Sequence, residues 1–402
     1  MKRENAKQTI PLKIDLYAET TGFRSATKPT QAHHRIAKYF SSPLLMGPPP
    51  SDLLLELVMH MFTDEEAEIV TYLPPLRSRT AEKVAQLSKR PVADVGKILH
   101  ELAFNKKVIL AAGNPRKFAI IPIVPGAFEM ALMTPDLRTR NSWHVRFAEL
   151  FEHLWETGYL KDYPGNIKFA PVRYLPVGGV TNTLYMAWPS DLLEEVLEPY
   201  NAFAVGHCQC RLAMQMVGKG CGRSTENCVA MGSMVKPLVE RGMMREIDRE
   251  EAIRIKHEAE KEGSVTWMMN EVGLSKANGS CSCCGCCCHG LRILNEFNTP
   301  GLISRPHFMP AYVLEKCKRC KSCVTACPMD AWSFVSENLV FNSVRCIGCG
   351  LCVVSCKSDA LKMTPVQDAV PMTSNKYKFI LGATSGYLAN SVRVWAKRLF
   401  MV

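Results

Sequence analysis

All eighteen cysteines of this 402-residue chain fall after residue 207, ten between Cys208 and Cys288 and eight between Cys317 and Cys356. The first half must therefore fold without thiol chemistry, and the second half is organised around it. The N-terminus reads MKRENAKQTIPLK, with no apolar segment of a cleavable signal behind it. No uncharged run approaches the roughly 18 apolar residues of a membrane-spanning helix. The expectation is a cytoplasmic, reducing setting, where thiols stay free unless a metal holds them. Hydrophobic residues make up 47% and charged residues 22%. That is enough apolar surface for two or three packed domains, and it excludes a mainly disordered or fibrous chain.

The formal charge of +11 would by itself suggest a polyanionic partner. A 4Fe–4S centre with four thiolates carries about −2, so several of them would cancel much of this excess. Nucleic acid is on that ground a disfavoured partner.

Cys317, Cys320, Cys323 and Cys327, followed by Pro328, have the spacing C-x2-C-x2-C-x3-C, and Cys346, Cys349, Cys352 and Cys356 repeat it. Zinc sites, the alternative, prefer paired C-x2-C units with a longer spacer. Over residues 311 to 363 the chain resembles the dicluster 4Fe–4S ferredoxins of bacteria. The resemblance implies that Cys317, Cys320, Cys323 and Cys356 hold one cluster and that Cys346, Cys349, Cys352 and Cys327 hold the other, the fourth cysteine of each run crossing over. Gly348 and Gly350 would let backbone N–H groups approach the sulfides. Lys357 stands where the first motif has Pro328, a departure from strict repetition.

The other ten are Cys208, Cys210, Cys221 and Cys228, then Cys281, Cys283, Cys284, Cys286, Cys287 and Cys288 in the run SCSCCGCCCHG. Two further cubanes would use eight of them. Adjacent residues cannot all point at one cubane, so some are spare, or the two groups pool ligands across space, or an unusual cluster forms. Structural zinc is the alternative for this region. Arg211 would hydrogen-bond to a sulfide or form an ordinary salt bridge. His207 and His289 flank the groups, as ligands or as donors of supporting hydrogen bonds. The order CxCR, CxCCGCCC, dicluster module, over residues 50 to 365, is similar to a group of long 4Fe–4S binding proteins of anaerobic microbes. That similarity implies cytoplasmic electron transfer and fixes no substrate.

The expected fold class is α+β. Residues 1–50, with eight basic and three acidic side chains, read as a basic arm and linker ending in Gly47 and three prolines. Residues 51–125 read as a winged-helix-like domain. Helices are expected from Ser51 (Leu54, Val58 and Met61 inward), from the Thr63–Glu66 capping box, from Thr80 (Val84, Leu87) and from Pro91 (Val92, Val95, Leu99, Leu102). A hairpin is expected around Gly113, Asn114 and Pro115. The exposed face of the fourth helix, with Asp94, Lys97, His100 and Glu101, is mixed in sign, unlike a groove reader. Lys106, Lys107, Arg116 and Lys117 remain candidate phosphate contacts.

Residues 126–300 read as a mixed α/β Cys-rich domain, with a helix capped by Asp248 and Glu251 and ended by Gly263. Residues 301–365 form the ferredoxin-like domain and 366–402 an amphipathic tail. The stretch PVGGVTNT has a glycine pair, but no GxGxxG or Walker A loop occurs, so a nucleotide site is unsupported while a flavin stays open. In the tail, Leu388, Val392, Trp395 and Leu399 share a helix face, with Arg393, Lys397 and Arg398 nearby. This face would pack on the protein's own core, or else contact a membrane surface or partner.

The leading functional expectation is a multi-cluster iron–sulfur electron carrier or electron-transfer subunit. Lys316, Lys318, Arg319, Lys321 and Arg345 would suit an acidic redox partner. The alternatives are a reductase whose central cysteines form a substrate-facing cluster, and a redox-responsive winged-helix regulator.

Overall fold

The structure, a computed structural model, describes residues 23–163, 172–178, 180, 192–269, 277–298, 303–367 and 376–399. Residues 1–22 of the basic arm lie outside it, as do Gly179 and residues 181–183 of the glycine-pair stretch.

Three bodies follow one another. The first is helical: α1 (Gln31–Phe40), α2 (Asp52–Met61), α3 (Asp64–Val70), α4 (Ala81–Ser88) and α5 (Val92–His100), then the hairpin β1 (Leu110–Ala112) and β2 (Lys117–Ala119), then α6 (Phe128–Leu132) and α7 (Ser142–Glu156). Ser51, Thr63 and Thr80 cap α2, α3 and α4 as expected, and Glu66 completes the box at α3. Pro91 stands one place before α5, as its N-cap residue. A bridge between Arg79 and Phe118 joins the hairpin to the segment leading into α4.

Three expectations need correction here. The arm is not irregular throughout, because α1 forms with Ile36 and Phe40 fully buried. Its capping box uses Thr30 and His33, and a histidine at that position is not the glutamate the pattern looks for. Leu87 and Val92 face solvent, since Val84, Val95, Leu99 and Leu102 already fill the inner side. Lys106 and Lys107 are buried and cannot meet phosphate. Lys106 Nζ pairs with Glu66 at 2.6 Å and donates to the Arg24 and Met61 carbonyls, and Lys107 Nζ donates to the Gly242 carbonyl. Burial pushes the Lys107 ammonium down to about 7.

The helical core continues past residue 125. Phe128, Phe147, Phe151, Trp155 and Tyr163 join the same apolar cluster as Leu54 and Leu99.

The second body is an antiparallel six-stranded sheet in the order β3-β7-β8-β5-β4-β6. Its strands are β3 (Val172–Tyr174), β4 (Phe203–His207), β5 (Glu226–Gly232), β6 (Arg245–Ile247), β7 (Val265–Met269) and β8 (Ala277–Cys283). The helices of this segment are α8 (Leu193–Leu197), α9 (Gln209–Met216), α10 (Val235–Glu240), α11 (Arg249–Lys261) and α12 (His289–Phe297). Asp248 caps α11 through the Glu251 N–H, as expected, and Ala252, Ile255 and Ala259 bury its inner face.

The third body pairs β9 (Phe308–Tyr312) with β12 (Leu361–Pro365) and β10 (Trp332–Val335) with β11 (Asn338–Phe341). The short helices α13 (Ser322–Ala326) and α14 (Leu351–Val354) lie between these pairs in sequence. The chain is thus α+β.

Finally α15 (Lys376–Leu399) returns to the first body. Tyr387 Oη donates to the Leu44 carbonyl, Ser391 Oγ to that of Pro43, and Arg398 to those of Ser41 and Gly47. Val394 is buried, whereas Leu388, Val392, Trp395 and Leu399 are each about half exposed or more. The helix is therefore docked by polar bonds to carbonyls, and its apolar stripe is turned outward rather than onto the core. No helix among the described residues is long and apolar enough to cross a membrane.

Candidate metal centres

In the third body each C-x2-C-x2-C loop curls around a cavity that receives a cysteine from the other run. Cys317, Cys320, Cys323 and Cys356 line the first cavity, with Lys318, Lys321, Phe334 and Leu361. Cys327, Cys346, Cys349 and Cys352 line the second, with Pro328, Met329, Trp332 and Ile347. Each cavity is thus lined by three cysteines of one run and one of the other.

Gly348, at φ +71, donates its N–H to Cys346 Sγ at 3.4 Å, and the Ala331 N–H meets Cys327 Sγ at 3.3 Å. A β-carbon at 348 would stand 2.6 Å from the Phe308 carbonyl oxygen, so only glycine lets the backbone turn there. Burial pushes the Cys346 and Cys352 thiols up to about 11 and about 12, and Cys349 well above its ordinary value. Four such cysteines around an apolar hollow, met by N–H donors, fit a group that binds thiolates and spreads their charge. The two cavities differ in exposure: Cys320 is exposed, while Cys327, Cys349 and Cys352 are buried.

The ten cysteines of the second body divide between two places. Cys221, Cys284, Cys286 and Cys287 bring their sulfurs within 4.8 Å of one another. Cys210 contacts the thiols of Cys208 and Cys288, Cys288 also contacts Cys283, and Cys228 and Cys281 stand 3.7 Å apart beside them. Strand alternation explains the division: Cys281 and Cys283 share one face of β8, and Cys284, the next residue, turns to the other group. Cysteines of the 208–228 and 281–288 groups thus meet in both places.

Arg211 is buried and donates to Ser264 Oγ, to the Ser282 carbonyl at 2.6 Å and to the Ser224 carbonyl. Burial works against its charge, while the thiols of Cys208 and Cys284 favour it and hold the guanidinium above its ordinary value. His207 bonds Thr225 Oγ1 at 2.7 Å, and His289 pairs with Glu152 among Phe128, Phe151 and Trp155. The two imidazoles thus bond a hydroxyl and a carboxylate.

Two residues of the site went unnoticed in the sequence. Lys256 is fully buried on the inner face of α11, donates to Ser282 Oγ at 3.3 Å and lies near Cys281, Cys228 and Cys283. Burial pushes it down to about 8 against the pull of those thiols. A lysine in register with Ala252 and Ala259 was the signal available. Tyr174, its hydroxyl buried beside Cys283 and Cys288, gave none.

A family model described as a 4Fe–4S dicluster domain matches residues 309–368. Residues 309–368 are thus a dicluster 4Fe–4S domain similar to those of ferredoxins. The ferredoxin of Rickettsia felis is 41% identical over 56 residues, covering 13% of this chain and 51% of that protein. Ferredoxin-1 of Caulobacter vibrioides is 41% identical over 56 residues, covering 13% and 50%. AegA of Escherichia coli (strain K12), named as an oxidoreductase, is 29% identical over 119 residues, covering 26% and 18%. The chain spans about half the length of these ferredoxins and less than a fifth of AegA. No solved structure matches it.

The dicluster domain is iron–sulfur binding and serves electron transfer, and it abuts the second body closely. Asn295 on α12 donates to the Gly285 and Pro328 carbonyls at 3.3 and 2.9 Å. Arg345 is turned inward, to the Met329 carbonyl and Asn295 Oδ1, and so is not part of an outward basic face. The Val177 N–H meets the Cys349 carbonyl. Cys283 and Cys288 belong to the same apolar cluster as Cys327, Cys349 and Cys352. Lys316, Lys318, Arg319 and Lys321 are exposed around the first cavity, with Tyr312, Val313 and Leu314.

Proposed function

We propose that this protein is an electron-transfer component of a redox system in which the dicluster domain exchanges electrons with an acidic partner and with a third iron–sulfur centre in the second body. In this reading Cys317, Cys320, Cys323 and Cys356 hold one cluster, and Cys346, Cys349, Cys352 and Cys327 hold the other. Cys208, Cys210, Cys283 and Cys288 hold the third centre, with Cys228 and Cys281 beside it. A 4Fe–4S cluster supplies one-electron storage, at a potential tuned by hydrogen bonds to sulfur and by burial. The protein supplies those terms: the Gly348 and Ala331 N–H groups, the apolar walls of Trp332 and Ile347, and the Lys256 and Arg211 charges beside the central thiols.

The observation that carries the reading is the contact between the CxCCGCCC loop and the second cavity, where Gly285 lies against Pro328, the residue after Cys327. It brings the central thiols and the inner dicluster cavity into one buried core. The exposed lysines surround the outer cavity, where a partner with an acidic surface would dock.

Anaerobic iron and sulfide quantitation tests this on wild type and on the Cys208→Ala, Cys210→Ala variant. About twelve irons falling to about eight supports it, since each cubane holds four. Eight in both removes the third centre.

A substrate-facing reductase is the weaker reading, because Cys208, Cys228, Cys283 and Cys288 are all buried. The four helices and bridged hairpin of residues 51–119 support a winged-helix reading of the first body. Burial of Lys106 and Lys107 favours scaffolding over DNA binding for it.

A further inference from the structure

Cys221, Cys284, Cys286 and Cys287 stand apart from the other six central thiols, and their spacing sets a size limit on what they hold. Cys221 and Cys284 have their sulfurs 3.9 Å apart, Cys286 and Cys287 3.8 Å, and all four lie within 4.8 Å of one another. One zinc ion with four Zn–S bonds of about 2.3 Å at tetrahedral angles separates its sulfurs by about 3.8 Å. The four thiolates of a cubane sit outside its iron corners and are about 6.5 Å apart. Cys208, Cys210, Cys288 and Cys283 touch only in series, and among the described residues only the Cys221 group closes mutually within 4.8 Å. The dicluster cavities keep an open hollow between their cysteines; these four cysteines close on a space for a single ion.

We propose that Cys221, Cys284, Cys286 and Cys287 hold one tetrahedral zinc ion, separate from every iron–sulfur cluster of the chain. Four thiolates around a divalent ion carry a net charge of about −2, and two cations stand ready to balance it. Arg223 Nη1 lies 3.7 Å from Cys286 Sγ and anchors its other end on the Glu262 carbonyl. Arg211, buried, lies beside Cys221 and Cys284 and is locked by the Ser282 carbonyl. Met214 and Val217 of the α9 region pack over the sulfurs of Cys284 and Cys287.

The ion ties together two remote segments. Cys221 follows α9, and the other three ligands form the turn between β8 and α12. That turn also carries Gly285, which meets the dicluster domain. The ion thus fixes the loop on which the contact between the bodies depends, while taking no electron itself, because zinc has no redox chemistry.

Zinc, iron and sulfide are measured on anaerobically purified full-length wild type and on Cys286→Ser, the substitution at the exposed ligand. The expected result is one zinc per chain in wild type, most of it lost from the variant, with iron and sulfide unchanged. Loss of iron from the variant, whether one atom or four, overturns the proposal. Zinc K-edge absorption on wild type keeps the test independent of how the variant folds. Four sulfur neighbours at about 2.3 Å support the proposal, and nitrogen or oxygen neighbours, or no bound zinc, overturn it. The third iron–sulfur centre is tested at Cys208 and Cys210, so either reading can fail while the other stands.

Discussion

Gly285 and Pro328 approach so closely that a β-carbon on residue 285 would stand 1.9 Å from the Pro328 carbonyl oxygen. The neighbour is backbone and cannot swing away. Gly285→Ala is therefore expected to separate the second body from the dicluster domain, at a cost of about 1 to 3 kcal/mol. Iron content should be unchanged. Stopped-flow absorbance should show the central centre reduced at least tenfold more slowly than in wild type. Unchanged kinetics would mean that electrons do not cross at this contact.

Charge reversal at the outer cavity tests docking. Lys318→Glu with Lys321→Glu is expected to lower the rate of reduction by an acidic redox partner about tenfold at low salt and to flatten its dependence on ionic strength. A rate that ignores both the substitutions and the salt rules out electrostatic docking at this face.

The first body should be sensitive to mild acid. His60 donates Nε2–H to the Trp143 carbonyl at 2.8 Å and stacks on the Trp143 ring. Burial, with Arg146 and Lys106 adding to it against Glu149, pushes the imidazole down to about 4 from 6.5. Above pH 6.5 the ring is neutral in both folded and unfolded chains. Between 6.5 and 4 only the unfolded chain takes up the proton, so stability falls as pH falls, by up to about 3 kcal/mol. Urea titrations followed by tryptophan fluorescence across that window should show the loss, and His60→Gln should remove most of it.

The outward stripe of α15 gives a fourth expectation. The segment from Lys376 to Leu399 has five basic side chains and no acidic one. Vesicles rich in anionic lipid are expected to co-sediment with wild type, and Leu388→Ser with Trp395→Ser to abolish this. If wild type does not co-sediment, membrane contact is excluded.

The parts of this architecture legible in the sequence were those with local signals. Thr63 with Glu66, Asp248 with Glu251, and the two C-x2-C-x2-C-x3-C runs each specify structure over a few residues. Most of the parts that stayed hidden depend on long-range packing. The Thr30 cap is local and was hidden because its box residue is His33 rather than a glutamate, whereas the burial of Lys106 by Glu66 and the inward turn of Arg345 toward Asn295 need partners that spacing does not reveal. The same holds for the division of the ten central cysteines. Alternation along β8 separates Cys283 from Cys284, and that strand is defined by its pairing with β5 and β7 rather than by a local signal. The outward stripe of α15 shows the limit of periodicity, which finds an apolar face without saying what covers it.

The bonds from α15 to residues 41–47 join groups more than 340 positions apart in sequence. Contacts of such high separation form late, and domains emerging from a ribosome fold in order from the N-terminus. The clasp can close only after the cysteine-bearing bodies have left the ribosome. Metal loading of a nascent chain would thus precede it, and a clasped molecule would be one whose centres have already had their chance to assemble.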